Sequence, residues 1–251
     1  MQEVLVVIPA RYSSARFPGK PLAMLEGWPM IRHVWERARQ AKRPSRVVVA
    51  TEDDRIFQCV QAFGGNCLMT SVSHQNGTER VAEVAASSQA PLVVNLQGDL
   101  PLFHPPTLDR LIEIGAKEIL EGRADLVTPC APIETEEEYA SPSCVKVVMD
   151  VAGYALYFSR APIPHLPNFL KGVGYKHYGI YLYSREGLLK LAQRPEGPLE
   201  RSETLEQLRL LENGGRVLMI KLAPQEAHSF REVNHPEDMI QAKAHLLDRM
   251  A

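Results

Sequence analysis

The run Val4-Leu5-Val6-Val7-Ile8, followed by Pro9-Ala10-Arg11-Tyr12-Ser13-Ser14-Ala15-Arg16-Phe17-Pro18-Gly19-Lys20-Pro21-Leu22, sets the strongest limit on what this chain can fold into. An apolar, mostly β-branched run without a polar interruption reads as a buried strand. The segment behind it is unusual for a tight turn into a helix, because it carries Arg11, Arg16 and Lys20 with the hydroxyls of Ser13 and Ser14. At the carboxyl end of a first parallel strand, cations and backbone N–H groups in one loop form a site for a polyphosphate. Arg11 and Lys20 are the candidate triphosphate ligands, one a bidentate donor and the other a compact charge. Ser13 and Ser14 add hydroxyl or amide contacts. Arg16 serves either the phosphates or a surface ion pair.

Further strand patterns at Arg46–Ala50, Asn66–Met69 and Leu92–Leu96 alternate with helical spacing over Met30–Ala38, Asp53–Val60 and Thr78–Ala86. This alternation predicts an α/β fold with a parallel sheet and right-handed crossovers. Gln97-Gly98-Asp99 follows the strand at Leu92–Leu96, so a second polar loop falls where open α/β sheets bind ligands. Asp99 is the candidate magnesium ligand, since magnesium takes a few carboxylates with phosphate oxygens and water. The alternative for an Asp in this place is a turn cap. From about 129 to 185 the pattern alternates as antiparallel strands do, with a hairpin turn at Asp150-Val151-Ala152-Gly153 and a proline-rich loop over Pro162–Gly174. A helix over Glu203–Asn213, a strand over Arg216–Leu222 and a helix from Pro236 to about Met250, capped by Asn234 or His235, complete the reading.

The chain's 251 residues are 45% hydrophobic and 23% charged, with a formal net charge of −2. That balance favours a small anionic ligand at a local basic loop over nucleic acid or an anionic membrane. Cys59, Cys67, Cys130 and Cys144 form no C-x-x-C pair, and no apolar run reaches the ~20 residues of a membrane span. No secretory leader is visible after Met1, so the expectation is a cytoplasmic, reduced protein. Neither G-x-x-x-x-G-K-S/T nor G-x-G-x-x-G follows the first strand, which argues against Walker NTPases and dinucleotide-binding dehydrogenases. No G-x-S-x-G or H-E-x-x-H set supports hydrolase or zinc chemistry.

The pieces Ile8-Pro9-Ala10-Arg11, Pro18-Gly19-Lys20-Pro21-Leu22, Gly77-Thr78-Glu79-Arg80, Asn95-Leu96-Gln97-Gly98-Asp99, Val145-Lys146-Val147-Val148, Ala155-Leu156-Tyr157-Phe158-Ser159-Arg160, His177-Tyr178-Gly179-Ile180-Tyr181 and Leu205-Glu206-Gln207-Leu208-Arg209 occur in this order. Together they resemble the sugar nucleotidyltransferases, and within these the 3-deoxy-manno-octulosonate cytidylyltransferase (CMP-Kdo synthetase) family, from about Val4 to about Met239. The resemblance implies a nucleotide-diphospho-sugar transferase-like, Rossmann-like mixed sheet with helices on both faces. It implies one nucleotidyltransferase domain over 1–251, with a smaller antiparallel dimerisation and sugar-binding lobe inserted at about 129–185, and a homodimer. The implied reaction joins a 3-deoxy-2-ulosonic sugar acid to CTP with Mg2+, giving the CMP-sugar and pyrophosphate for lipopolysaccharide biosynthesis. The implied nucleotide site is Ala10, Arg11, Ser13, Ser14, Lys20 and Thr78, with Arg11, Lys20 and Asp99 catalytic. The implied sugar-acid site is Arg80, Gln97, His177, Tyr181, Glu206 and Gln207.

Two positions depart from the family. Leu100 stands where the family usually has a Glu before proline. Asn234, in Val233-Asn234-His235-Pro236-Glu237-Asp238, stands where it usually has a magnesium-binding Asp. Asn234 offers the metal a neutral carbonyl, so the expectation is a site with two fewer negative charges. Three outcomes follow: weaker magnesium binding by Asp99 with the nucleotide, a differently charged sugar acid such as 8-amino-Kdo, or a catalytically silent nucleotide-binding homologue.

Overall fold

In a computed structural model, which describes residues 2–14, 16–227, 230 and 232–248, the first apolar run forms β1 (Val4–Ala10), buried along its whole length. A small ribbon of β2 (Met24–Leu25) and β3 (Trp28–Pro29) follows the cationic loop. Next come α1 (Met30–Gln40), β4 (Arg46–Thr51), α2 (Asp54–Ala62), β5 (Cys67–Met69), α3 (Gly77–Ala86), β6 (Leu92–Leu96), α4 (Pro105–Leu120) and β7 (Leu126–Pro132). The second half adds α5 (Glu136–Ala140), β8 (Lys146–Met149), β9 (Ala155–Ser159), β10 (Tyr175–His177), β11 (Ile180–Ser184) and α6 (Arg185–Ala192). It closes with α7 (Pro198–Glu203), α8 (Leu208–Glu212), β12 (Val217–Lys221), α9 (Pro224–Ala227) and α10 (Asp238–Asp248).

One sheet runs in the order β5-β4-β1-β6-β11-β7-β10-β8-β9, with β12 also paired to β7. β5, β4, β1 and β6 are parallel, and β11 begins an antiparallel half by pairing with β6. The antiparallel strands of the 129–185 stretch therefore continue the parallel sheet edge to edge. Alternation along β1 divides the core between the two faces. Val4, Val6 and Ile8 pack with Ile31 and Val34 of α1 and Leu111 of α4. Leu5 and Val7 pack with Val81 and Ala85 of α3 and Leu188 of α6.

Two expected helices change. The helix expected over Glu203–Asn213 is shortened to α8, because α7 ends at Glu203, where Thr204 turns left-handed at φ 55° and donates its N–H to Glu200 O. The break carries Leu205-Glu206-Gln207 to a cleft instead of along a helix face. The last helix begins at Asp238, two residues after Pro236, and Asn234 does not cap it. Asp238 Oδ2 instead accepts the N–H groups of Asn234 and His235, each at 2.8 Å. The expected end of this helix near Met250 lies outside the described residues.

Lys146 on β8 is fully buried, and its Nζ donates to the carbonyls of Ser141 at 2.8 Å, Cys144 at 2.6 Å and Arg160 at 2.6 Å. One ammonium thus joins the 141–144 turn to the end of β9. Lys146→Met keeps the length of the side chain but leaves the three carbonyls without their shared donor. It is expected to cost about 3 kcal/mol or more in urea unfolding.

Candidate active site

The loops after β1 and β6 meet beside the segment leading to α10. Lys20 follows Gly19, whose φ of 71° suits a residue without a Cβ, and Gly19 N–H donates to Tyr12 O at 2.9 Å. Lys20 Nζ lies 3.0 Å from Asp99 Oδ2 and donates to Val233 O at 2.9 Å. Val233 N–H returns a bond to Asp99 O at 2.9 Å. Asp99 lines a cleft of about 150 Å³ with Arg16, Gln97, Arg160, His177, Tyr181, Glu206, Gln207, Glu232 and Asn234. The polar residues of the β1 and β6 loops, of β10–β11 and of the α7–α8 break therefore share one wall system.

His177 and Gln97 enter through a break between β10 and β11. Tyr178 and Gly179 leave the ladder there, and Gly179 O accepts the Gln97 N–H at 3.0 Å. A Cβ on Gly179 would stand 2.7 Å from Gln97 Cγ, so glycine permits the approach. Gln97 Nε2 donates to Asn95 Oδ1 at 3.1 Å. His177 Nε2 is 2.8 Å from Thr128 Oγ1, whose hydroxyl donates to Ile180 O at 2.7 Å. Thr128 has a single proton to give, so His177 Nε2 carries the hydrogen toward it and Nδ1 keeps a lone pair. Burial pushes the His177 pKa down to about 3, so its ring is neutral at physiological pH. The half-buried Tyr181 phenol is held well above its ordinary pKa by burial and by Glu206, and remains an O–H donor.

Not every expected residue reaches this cleft. Arg80 is 1% exposed and points the other way, forming an ion pair with Glu52 at 2.8 Å and a hydrogen bond to Thr70. It lines neither cleft, so its assignment to the sugar acid is corrected: drawing this buried guanidinium away from Glu52 would leave its charge uncompensated. Thr78 is buried in the first turn of α3, with its hydroxyl bonded to Tyr183. Glu206 lines the cleft, but its carboxylate accepts Gly77 N–H at 3.3 Å and Thr78 N–H at 2.8 Å, closing the positive end of α3. Arg11 lines an adjoining cleft of about 490 Å³ that shares Thr204, Leu205 and Glu206, and its Nη1 donates to Gln75 O at 2.8 Å. Ala10, Ser13 and Ser14 line neither cleft, and Ser14 Oγ accepts Phe17 N–H at 3.4 Å.

Two cleft residues, Arg160 and Glu232, lay outside the expected site, whereas Gln207 lay within it. Arg160 donates through Nε to Glu203 O at 2.8 Å and through its terminal nitrogens to Pro142 O and Thr204 O, so carbonyls fix its guanidinium plane. Gln207, expected only as a sugar-acid ligand, is 1% exposed and its Nε2 has no acceptor among the described residues. Glu232 stands in the cleft, its carboxyl pushed up to about 7 by desolvation and then by Asp99. Leu100 is fully buried in the core beside Phe103, so position 100 is not part of the cleft. The expected loss of two negative charges is corrected accordingly: Asn234 is the one neutral replacement at the cleft, and Glu232 adds an acid. Among the described residues, no group of three or more His, Cys, Asp or Glu side chains forms a ready metal site.

A cationic loop and an acidic loop at the ends of two parallel strands, the unbonded buried amide of Gln207 and a carboxylate on a lysine define an α/β protein built to hold a nucleotide and a second polar substrate. A 3-deoxy-manno-octulosonate cytidylyltransferase of Geobacter sulfurreducens is 44% identical, over 94% of this chain and 96% of its own. One of Syntrophotalea carbinolica is 46% identical, over 97% and 98%. The structure of CMP:2-keto-3-deoxy-manno-octonic acid synthetase complexed with CTP is 39% identical, with a TM-score of 0.88 over 99% of this chain and 100% of that one. The cytidylyltransferase family model matches residues 5–222, and this chain belongs to that family, among the 3-deoxy-manno-octulosonate cytidylyltransferases.

Gly179→Ala is expected to displace Gln97 and lower turnover about tenfold or more, with little change in thermal stability. His177 yields a second expectation. An unfolded histidine titrates at about 6.5, so below that pH the unfolded chain binds a proton that the folded chain refuses. Stability therefore falls as pH drops from there toward about 3. The His177 share of this slope is at most about 1.4 kcal/mol per pH unit. His177→Gln, compared with wild type by urea unfolding at neutral pH and near pH 5, should show a shallower loss.

Proposed function

We propose that the cleft joins the anomeric hydroxyl of 3-deoxy-manno-octulosonate to the α-phosphorus of CTP. The new bond is the anomeric O–P bond, and the α–β phosphoanhydride breaks to release pyrophosphate. The observation that carries this reading is the Lys20–Asp99–Val233 junction, whose Asp99 lines one cleft with Gln207 and Arg160. Arg16 in this cleft, Lys20 beside it on Asp99 and Arg11 in the adjoining cleft offset phosphate charge. Phosphoryl transfer is largely positioning and charge stabilisation, which fixed cations and amides supply. Gln207 Nε2 and the Arg160 guanidinium are the donors suited to the sugar-acid carboxylate. Tyr181 adds an O–H at neutral pH, and neutral His177 offers an Nδ1 acceptor to a sugar hydroxyl.

Mg2+ belongs to this proposal. The fit rests on oxygen donors: Asp99, whose Oδ2 lies on Lys20 while Oδ1 has no bond among the described residues, and the amide carbonyl of Asn234. Bound there with the nucleotide, the ion would polarise phosphate oxygens and lower the pKa of a coordinated hydroxyl. The homodimer, a place in lipopolysaccharide biosynthesis and a cytoplasmic location are likewise proposed from the resemblance. No helix among the described residues is long and apolar enough to cross a membrane.

The test is pyrophosphate release from CTP and Mg2+, with Kdo and its 8-amino analogue offered in parallel. Release with Kdo is expected, and Asp99→Asn should reduce it by about a hundredfold or more without unfolding the protein. Preference for the amino sugar would move the substrate to the analogue. No release with either acid, despite CTP binding, would support the silent-homologue reading.

A further inference from the structure

Glu232 is the acid of this cleft with no place in the expected site. It immediately precedes Val233, which is held on both backbone atoms by the Asp99 junction: its N–H donates to Asp99 O at 2.9 Å, and its carbonyl accepts from Lys20 Nζ at 2.9 Å. Two bonds on one residue fix where the neighbouring side chains begin. Asn234 Nδ2 donates to Glu232 Oε2 at 3.3 Å, which turns the amide's own oxygen away from Glu232. The same contact leaves Glu232 Oε1 without a bond among the described residues, as Lys20 leaves Asp99 Oδ1. Asp99, Glu232 and Asn234 all line the cleft that holds Gln207, whose buried Nε2 also lacks an acceptor. The unbonded amide is independent of the acids and points to a ligand in the same space.

We propose that Glu232 is the second carboxylate, with Asp99, for the divalent cation that accompanies the nucleotide. This rests on the nucleotide reading above. Two carboxylate oxygens and one amide oxygen are hard donors in the number that magnesium or manganese accepts from protein, with phosphate oxygens and water making up the rest. Asn234 then does two things: it orients Glu232 through Nδ2 and offers Oδ1 as a neutral donor. The arrangement places the second negative charge two residues before the asparagine.

The test measures Mn2+ binding by electron paramagnetic resonance in the presence of CTP and without sugar acid. CTP binding in EDTA is measured alongside by calorimetry. Glu232→Gln keeps the shape of the side chain and its Asn234 contact, and is expected to weaken Mn2+ binding by about tenfold to a hundredfold. CTP affinity in EDTA should stay at the wild-type value. Adding Asn234→Asp to Glu232→Gln should restore most of the Mn2+ affinity, which a folding defect would not allow. Unchanged Mn2+ affinity in Glu232→Gln, with wild-type pyrophosphate release intact, would overturn the role of Glu232 alone. An equal loss of CTP affinity in EDTA would also overturn it, since Glu232 would then act on the protein and not on the metal. Failure of the wild type to bind CTP would overturn the nucleotide reading and this inference together.

Discussion

A single ammonium group holds three of the chain segments around the cleft in place. Lys20 comes from the loop after β1, Asp99 from the loop after β6, and Val233 from the segment before α10. Lys20 Nζ bonds to the last two, and Val233 bonds back to Asp99. A charge-assisted contact that is only partly exposed is screened less than a surface pair, so it orders the groups around it. The approach of Lys20 depends in turn on Gly19 and on Tyr12, which is stacked under Arg55 with the guanidinium 3.3 Å from the ring centroid. The same junction orders Glu232 and Asn234 and leaves one oxygen of Asp99 facing the cleft.

Other charges fix the segments around the two clefts. Lys146 binds three carbonyls, one of them on Arg160, and Arg160 binds carbonyls of Glu203, Thr204 and Pro142. Arg209 and Glu200, each 4% exposed, form a two-point ion pair that fastens α8 to α7 across the Thr204 break. Cations bonded to carbonyls at fixed positions keep their donors aimed at a ligand without reorganising, which is where positional precision in catalysis originates. The cost falls on the buried ones: removing Lys146 strands three carbonyls, and removing Arg209 strands the Glu200 carboxylate.

The parallel half of the fold was readable because its strands are continuous apolar runs whose partners lie one helix away in sequence. The cationic loop and Asp99 were readable for the same reason, since the end of each strand marks their position. Arg80 was misread because its partner, Glu52, lies on another loop, and nothing near Arg80 in sequence announces that carboxylate. Glu206 was half-read: it does line the cleft, but its role as the acceptor at the start of α3 joins residues 128 and 129 positions apart. Leu100 shows the limit of pattern alone. Next to Asp99 it looks like a lost site residue, yet the turn after Asp99 carries its side chain into the core. Glu232 had a signal in the sequence, an acid two places before the altered Asn234, and only the backbone bond of Val233 to Asp99 gives that spacing meaning.

The separations along the chain also order events in time. Lys20 and Asp99 are 79 positions apart, and Lys20 and Val233 are 213 apart. Contacts of such separation close late, after the loops between them have lost their freedom. During synthesis, β1, β4, β5 and β6 can pair while Val233 has yet to be made, because a chain grows from its N-terminus. In that interval Lys20 and Asp99 can already meet, but Glu232, Asn234 and the clamp on Val233 are absent. A nascent chain can thus acquire its sheet well before it acquires a finished reaction centre, and the last stretch to dock acts as the quality mark of a completed molecule.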